Sequence, residues 1–116
     1  MASEDDVRRI CLSLPEVSET LYDRLPGFRV KTKLFARIRQ KPDALVVWRP
    51  HIDEKNALIV AQPEKFFQTP HYEGHQAILV RLEAVEFAEL EELLTLSWAI
   101  NAPAKLAAAL EAGRTM

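Results

Sequence analysis

The strongest constraint on the fold is the regular alternation of side chains between Phe28 and Arg39, where the chain reads FRVKTKLFARIR. A period of two places successive side chains on opposite faces of a β-strand. We therefore predict one long strand, and with it a sheet. The core face of this strand would carry Phe28, Val30, Thr32, Leu34, Ala36 and Ile38. The other face would carry Arg29, Lys31, Lys33, Phe35, Arg37 and Arg39.

The segment before this strand has the period of a helix. The spacing i, i+3, i+4 and i+7 is occupied by Val7, Ile10, Cys11 and Leu14. Ser3 can cap this helix, the three acids after it favour the positive end of the helix dipole, and Pro15 ends it. We expect the single cysteine to be buried on the apolar face, and one cysteine forms no internal disulfide.

Further elements follow from the same two periods. Strands are predicted at 45–49, 57–61 and 76–83, and helices at 63–67, 86–98 and 104–112. Residues 16–25 fit a short strand or an irregular segment, residues 25–27 and 40–44 fit turns, and residues 69–75 fit a loop. Short connections favour antiparallel pairing. The order predicts an α+β, two-layer fold with an antiparallel sheet of four to five strands and helices packed on one face.

Length and composition set the broad class. With 116 residues, 48% hydrophobic and 28% charged, the chain matches a single folded domain over residues 1–116. No apolar run reaches the roughly 20 residues that cross a bilayer, and MASEDDVRR lacks the basic start of a secretory signal, so a cytoplasmic location is expected. Three glycines provide no P-loop or dinucleotide fingerprint. We predict no catalytic residues, no enzyme activity and no cofactor.

The net charge of -2 hides two poles of opposite sign. Between Arg24 and Pro42 lie seven of the fifteen cations and none of the seventeen acids, so this window carries +7 and the rest of the chain carries -9. The acidic pole consists of Glu83, Glu86, Glu89, Glu91 and Glu92. We interpret the acids as the solvated face of a helix and the basic row as a candidate functional surface.

The basic row predicts contact with a polyanion, and DNA is the partner we expect. Residues two apart on a strand are roughly 6.6 to 6.8 Å apart, close to the spacing of successive phosphates along one nucleic-acid strand. The predicted phosphate contacts are Arg29, Lys31, Lys33, Arg37 and Arg39. Phe35 would stack on a base or enter a groove. The next strand and its turn would extend the surface through Arg49, His51 and Lys55.

Other interpretations of the same row stay open. Lysine and arginine on the wet face of an edge strand also discourage unwanted pairing, and Phe35 can instead pack beneath a helix or loop. The cations can also meet an acidic protein partner, or the acidic helix of a second copy. The chain would then be a protein-interaction or chaperone-like adaptor module, and its oligomeric state is left open.

The segment HYEGH contains two histidines four residues apart and one glutamate: His71, Glu73 and His75. A helical metal site would need both rings on one helical face, but Pro70 and Gly74 favour a loop. We predict a structural or ligand-orienting loop and no metal site.

Four segments together carry a family resemblance. LPEVSETLYDRLPGFRVKTKLFARI, LVVWR, TPHYEGH and LEELLTLSWAINAPAKLA resemble the MmcQ/YjbR family of small bacterial proteins, from about Val7 to Leu110. The resemblance implies a two-layer α+β fold, related in outline to frataxin-like and secretion-chaperone-like domains. It also implies DNA binding through a double-wing surface, in a family whose biochemical role is largely unassigned.

The resemblance can be carried over residue by residue. Lys33 and Phe35 stand at the family's lysine-x-aromatic position, Phe28 matches the aromatic that opens the strand, and His75 resembles the histidine before the fourth strand. Two positions depart from the pattern. Thr32 replaces a common glycine, and Gln76 replaces a common aromatic, which removes a possible stacking group.

Overall fold

The protein is described over residues 1–114 by a computed structural model, and this range contains four α-helices and six strands. The helices are α1 (Glu4–Ser13), α2 (Ile52–Ala61), α3 (Phe87–Asn101) and α4 (Ala104–Arg114). The strands are β1 (Val17–Tyr22), β2 (Leu25–Val30), β3 (Lys33–Arg39), β4 (Ala44–Trp48), β5 (Phe66–Phe67) and β6 (Ala77–Val80). Short 3-10 turns lie at Pro70–Tyr72 and Leu82–Ala84. Within this range no helix has the length and apolar character to cross a membrane.

All six strands form one antiparallel sheet in the order β1-β2-β3-β4-β6-β5. The main core lies between one sheet face and the helices, and the buried side chains of α1 and α3 pack there against Phe28, Ile38 and Val47. Partly buried side chains of α2 and α4 border the same core. The predicted two-layer α+β fold is thus confirmed, with six strands instead of four to five.

Helix α1 forms where its capping signal predicts. Ser3 Oγ accepts a hydrogen bond from the Asp6 N–H at 3.2 Å, and Asp6 Oδ2 accepts one from the Ser3 N–H at 3.0 Å. This reciprocal pair satisfies two amides that the first helical turn cannot pair internally. Cys11 is buried as expected, and its burial raises the pKa of the thiol far above the ordinary value.

The single long strand predicted over residues 28–39 is wrong, because a hairpin turn interrupts it. Val30 pairs with Lys33, and the two residues between them, Lys31 and Thr32, form the turn. Lys31 has a φ of +55°, the left-handed conformation that two-residue hairpin turns require. Hairpin turns of this kind normally contain glycine or asparagine, and Lys31 and Thr32 are neither, so the local residue types did not indicate the break.

The turn and a second irregularity together decide which faces the following residues occupy. The register runs from Arg29–Leu34 to Phe28–Ala36, so Phe35 is an extra residue in β3, a β-bulge. Lys33 lies opposite the core residue Val30, so alternation after the turn places the half-buried Leu34 on the other face and Phe35 in the main core at 0% exposure, and the bulge keeps Ala36 in the core as well. Phe35 therefore offers no ring to a base, and its predicted stacking role is wrong. The alternative, packing beneath a helix, is what the fold shows.

Three further local predictions fail. Residues 57–61 belong to α2, because Lys55, Leu58 and Ile59 form its inward side while Val60 is 82% exposed. Residues 66–67 form strand β5 against β6 instead of lying in a helix. The turn expected at 25–27 begins two residues earlier, at Asp23 and Arg24, which both have positive φ.

Candidate nucleic-acid interface

The sheet face opposite the α-helices, here called the open face, carries three of the predicted phosphate contacts. Arg37 lies opposite Val46, and Arg39 lies opposite Ala44. Val46 and Ala44 belong to a small apolar cluster on this face, so both arginines lie beside it. Arg29 pairs with Ser18 and Leu34 and is two residues from Gly27, the partner of Arg37, so it lies on the same face.

The turn of the β2–β3 hairpin adds two lysines at the end of the sheet. Lys31 and Lys33 are both exposed, and the backbone N–H of Lys31 donates to Glu16 O at 3.1 Å. Arg29 Nη1 donates to Thr32 O at 3.0 Å, which holds this arginine against the turn. We call the set Arg29, Lys31, Lys33, Arg37 and Arg39 the basic hairpin.

Within the described part of the chain, the cations of the basic hairpin have no carboxylate partners. Among residues 1–114, ion pairs join acids to Met1, Arg8, Arg9, Arg49 and Lys65, but to no cation between Arg24 and Lys41. An unneutralised row of this kind produces a positive potential that attracts polyanions. The solvent-exposed face of an ordinary strand usually carries acidic residues among its basic ones. A row of basic residues without acids therefore favours a functional surface.

An open cleft of about 460 Å³ lies on the open face beside the hairpin, and we call it the arginine cleft. Its polar lining includes Asp23, Arg37, Arg39, Lys41, His71 and Tyr72. The Arg37 guanidinium lies 4.7 Å from the centre of the Tyr22 ring, and its Nη2 donates to Tyr72 Oη at 2.9 Å. An arginine held between two tyrosines loses less freedom when it binds an anion.

Arg39 forms the other side of the arginine cleft. Its Nη2 donates to Lys41 O at 3.2 Å, and its guanidinium carbon lies 5.8 Å from the centre of the Tyr72 ring. In the described part of the chain, the buried Nε of Arg39 has no hydrogen-bond partner. An unpaired buried N–H is costly, so Arg39 has donor capacity that the protein itself does not use.

The loop that closes one side of the arginine cleft is fixed by a buried lysine. Lys55 Nζ donates to Tyr72 O at 2.7 Å and to His75 O at 2.6 Å, and Lys55 is 0% exposed. Burial lowers the pKa of this lysine, and the nearby Glu73 charge opposes that effect. The predicted role of Lys55 as a phosphate contact is therefore wrong, since its ammonium group binds the loop from inside.

The proposed extension through Arg49 and His51 does not form either. Arg49 is buried and makes two hydrogen bonds to the Glu54 carboxylate, one from Nε at 2.9 Å and one from Nη2. His51 is exposed at the start of α2, in a shallow depression that shares no lining residue with the arginine cleft. Because β4 leads into a helix and not a third strand, these side chains leave the plane of the basic hairpin.

Gln76 has a structural role instead of the stacking role of the aromatic it replaces. Its Nε2 donates to Arg49 O at 3.0 Å and to Pro50 O at 2.8 Å. The Arg49 N–H in turn donates to Gln76 O at 3.0 Å. These contacts join the end of the histidine loop to the segment between β4 and α2.

The histidines of this loop lie near each other but form no metal cluster. The His71 and His75 rings are stacked with centroids 6.3 Å apart. Across residues 1–114 no three His, Cys, Asp or Glu side chains are grouped to hold a metal ion. His71 lines the arginine cleft, so this ring belongs to the same surface as the arginines.

Within the range that the structure describes, two of the five glutamates of the acidic pole are engaged in ion pairs. Glu86 Oε1 accepts from the Met1 amino group at 3.0 Å, and Glu89 Oε2 accepts from Lys65 Nζ at 2.7 Å. Glu83, Glu91 and Glu92 are exposed. Glu86 and Glu89 also form the capping box of α3, so part of this pole stabilises the helix start.

We expect the protein to lose stability in acid when Glu54 becomes protonated. The hydrogen bonds from Arg49 lower the pKa of Glu54 below 4.5, so their stabilisation is complete above that value and is lost as pH falls through the lowered pKa. At neutral pH, Glu54→Gln should lose about 1 kcal/mol, because Glu54 is partly exposed while Arg49 is buried. Denaturant unfolding of both proteins from pH 7 to pH 3 should show this gap closing. A constant gap would contradict the assignment.

The sequence did not single out the tyrosines of the arginine cleft. Tyr22 lies in a segment that fits either a strand or an irregular segment, and Tyr72 lies in a loop whose recognisable pattern is its two histidines. The two rings meet Arg37 across sequence distances of 15 and 35 residues. The signal that could have found Tyr22 is the strand alternation of VSETLY, which pairs with LPGFRV.

Comparisons with known proteins place these features in a family. The family model described as YjbR matches residues 12–100. The uncharacterized protein Rv2570 of Mycobacterium tuberculosis and the uncharacterized protein Mb2600 of Mycobacterium bovis are each 37% identical over 123 residues, covering 91% of this chain and 93% of theirs. The crystal structure of Deinococcus radiodurans protein DR2400, a DUF419 domain, matches with a TM-score of 0.73 and 27% identity, covering 86% of this chain and 78% of that one.

Proposed function

The chain belongs to the YjbR family, and we propose that it is a DNA-binding, non-enzymatic member that contacts the nucleic-acid backbone with its basic hairpin. The observation that carries this proposal is the set of five cations on one hairpin, none of which pairs with a carboxylate within residues 1–114. Backbone contacts of this type bind with little sequence information.

The geometry of the basic hairpin supports contact with successive phosphates. Arg37 and Arg39 are two residues apart on β3, which corresponds to about 6.7 Å. Arg29 lies on the same face of the neighbouring strand, and the turn at the end of the sheet adds Lys31 and Lys33, of which Lys33 is paired with Val30 and so lies at the edge of the other face. A backbone that crosses the open face along β3 would therefore meet Arg37 and Arg39 at about the spacing of successive phosphates, with Arg29 and the lysines of the turn beyond them.

We expect DNA binding to depend steeply on salt. Five phosphate contacts predict a slope of about -4.5 in a plot of log affinity against log salt for duplex DNA. Lys31→Glu with Lys33→Glu should reduce the slope to about -2.7 and weaken binding about tenfold or more at moderate salt, because two contacts are lost. Fluorescence anisotropy with labelled duplex and single-stranded DNA at several salt concentrations measures both quantities.

A matched variant separates this surface from the effect of total charge. Arg9→Glu with Lys105→Glu changes the net charge by the same amount at two exposed positions outside the hairpin. Its slope should stay near that of the unmodified protein. Equal loss in both double variants would reject the basic hairpin as the contact surface. Tighter binding of polyglutamate than of DNA would instead favour the acidic-protein adaptor.

A further inference from the structure

We propose that the arginine cleft is a binding site for a nucleoside monophosphate, either free or as the 5′-phosphate end of a nucleic-acid strand. The inference deepens the proposed DNA binding. It rests on that proposal only for the second ligand, the 5′-phosphate end of a nucleic-acid strand. The cleft differs from the exposed turn of the hairpin in one respect: its cations are held among aromatic rings in a concavity.

The phosphate would be bound by Arg37 and Arg39. Each guanidinium has five N–H donors, and within residues 1–114 each donates a single hydrogen bond, Arg37 to Tyr72 Oη and Arg39 to Lys41 O. Both side chains lie on the same face of β3, and neither forms an ion pair within residues 1–114. The unpartnered Nε of Arg39 would gain an acceptor if the guanidinium turned towards an anion.

The base would be bound by the aromatic side chains at the edge of the cleft. Tyr22 contacts Arg37 and is nevertheless 42% exposed, so part of its ring is accessible to a flat ligand. His71 is exposed, lines the same cleft and stacks with His75. Aromatic side chains bind nucleobases by stacking with little dependence on sequence.

The size and charge of the cleft fit one nucleotide. A volume of about 460 Å³ is within the range of small-molecule sites. Asp23 brings one carboxylate to the lining. Its negative charge disfavours a ligand that places a phosphate beside it. The carboxylate can instead accept a hydrogen bond from a sugar hydroxyl or a base N–H. With the three cations Arg37, Arg39 and Lys41 and the one acid Asp23, the lining has a net charge of +2, which matches the near-dianion of a monophosphate ester.

The test is isothermal titration of the full chain with thymidine 5′-monophosphate, thymidine and inorganic phosphate. The monophosphate should bind at least about tenfold more tightly than either part alone, because stacking and ionic contacts are both needed. Arg37→Gln should weaken the monophosphate about tenfold or more, and Tyr22→Ala about threefold to tenfold. Equal affinity for inorganic phosphate, or no change in Arg37→Gln, would overturn the proposal.

Two controls make the result specific. Tyr72→Phe removes the hydrogen bond that orients Arg37 but keeps the cation and the aromatic ring, so it should weaken monophosphate binding by less than Arg37→Gln does, about threefold. It separates the orientation of Arg37 from its charge. Lys105→Gln removes an exposed cation of α4, outside both the cleft and the basic hairpin, and should leave monophosphate binding unchanged.

The source of the phosphate is resolved by oligonucleotides. Tighter binding of a 5′-phosphorylated octathymidylate than of the same strand with a 5′-hydroxyl would assign the strand end, while equal binding of the two together with tight monophosphate binding would assign the free nucleotide. If DNA binding itself fails, the monophosphate titration still tests the cleft. If DNA binds and the monophosphate does not, the cleft proposal alone is rejected.

Discussion

Replacing Lys55 by methionine should lower the free energy of unfolding by about 3 kcal/mol. The buried ammonium group donates to the carbonyls of Tyr72 and His75, and hydrogen bonds to a charged group are worth about 1.5 to 3 kcal/mol each. Removing the lysine leaves two carbonyls without this donor. The burial that lowers the pKa of Lys55 acts in the opposite direction, since methionine has no charge to desolvate, so the loss is smaller than the sum of two bonds.

Denaturant unfolding of Lys55→Met and of Lys65→Met measures this effect against a matched control. Lys65 is partly exposed and pairs with Glu89, so the same substitution there should cost less than about 1 kcal/mol. The Tyr72 loop also closes one side of the arginine cleft, so Lys55→Met should weaken monophosphate binding while Lys65→Met should not. Similar stabilities for the two variants would show that the loop is not fixed by Lys55.

The Ser97→Ala variant should lose about 3 kcal/mol of unfolding free energy, although it removes one oxygen atom. Ser97 Oγ accepts from the Trp48 N–H at 2.9 Å and donates to Phe35 O at 2.5 Å, and the serine is 0% exposed. Its hydroxyl thereby joins α3 to β4 and to the bulge in β3. Alanine would leave a backbone N–H and a backbone C=O without this partner, at about 1 to 3 kcal/mol each.

Thr95→Val is the matched control for this prediction. Thr95 is in the same helix at 8% exposure, and its hydroxyl makes none of the described hydrogen bonds to the sheet that the Ser97 hydroxyl makes. The isosteric change should cost less than about 1 kcal/mol. Hydrogen exchange adds a second measurement: the Trp48 amide should exchange faster in Ser97→Ala. Unchanged protection of that amide would contradict the role assigned to Ser97.

Local signals in the sequence were sufficient for the elements that depend on neighbouring residues. The capping residue Ser3 and the stripe through Val7 predicted α1, and the apolar face of 86–98 predicted most of α3. Four of the core positions predicted for residues 28–39 are buried in the main core: Phe28, Val30, Ala36 and Ile38. Short-range periodicity encodes these features, so no knowledge of distant contacts was needed.

The errors occurred where one residue's conformation depends on partners far along the chain. Phe35 enters the core because the turn at Lys31 and Thr32 reverses the faces of the next three residues, and Ser97, 62 residues away, binds the Phe35 carbonyl at the bulge. Lys55 is buried because the loop carbonyls accept from it, 17 and 20 residues away. A strict alternation over residues 28–39 cannot represent the first event, since it contains neither the turn nor the bulge that restores the predicted faces from Ala36 onward.

The sequence by itself determined the two-layer α+β class, the first and third helices, and a cluster of seven cations free of acids. Only the tertiary structure decided that this cluster divides into an exposed turn with Lys31 and Lys33 and a cleft with Arg37 and Arg39. The physical reason is that composition and period fix the charge and the local geometry. Strand register and loop packing, in contrast, fix which distant side chains, here Tyr22 and Tyr72, surround each cation.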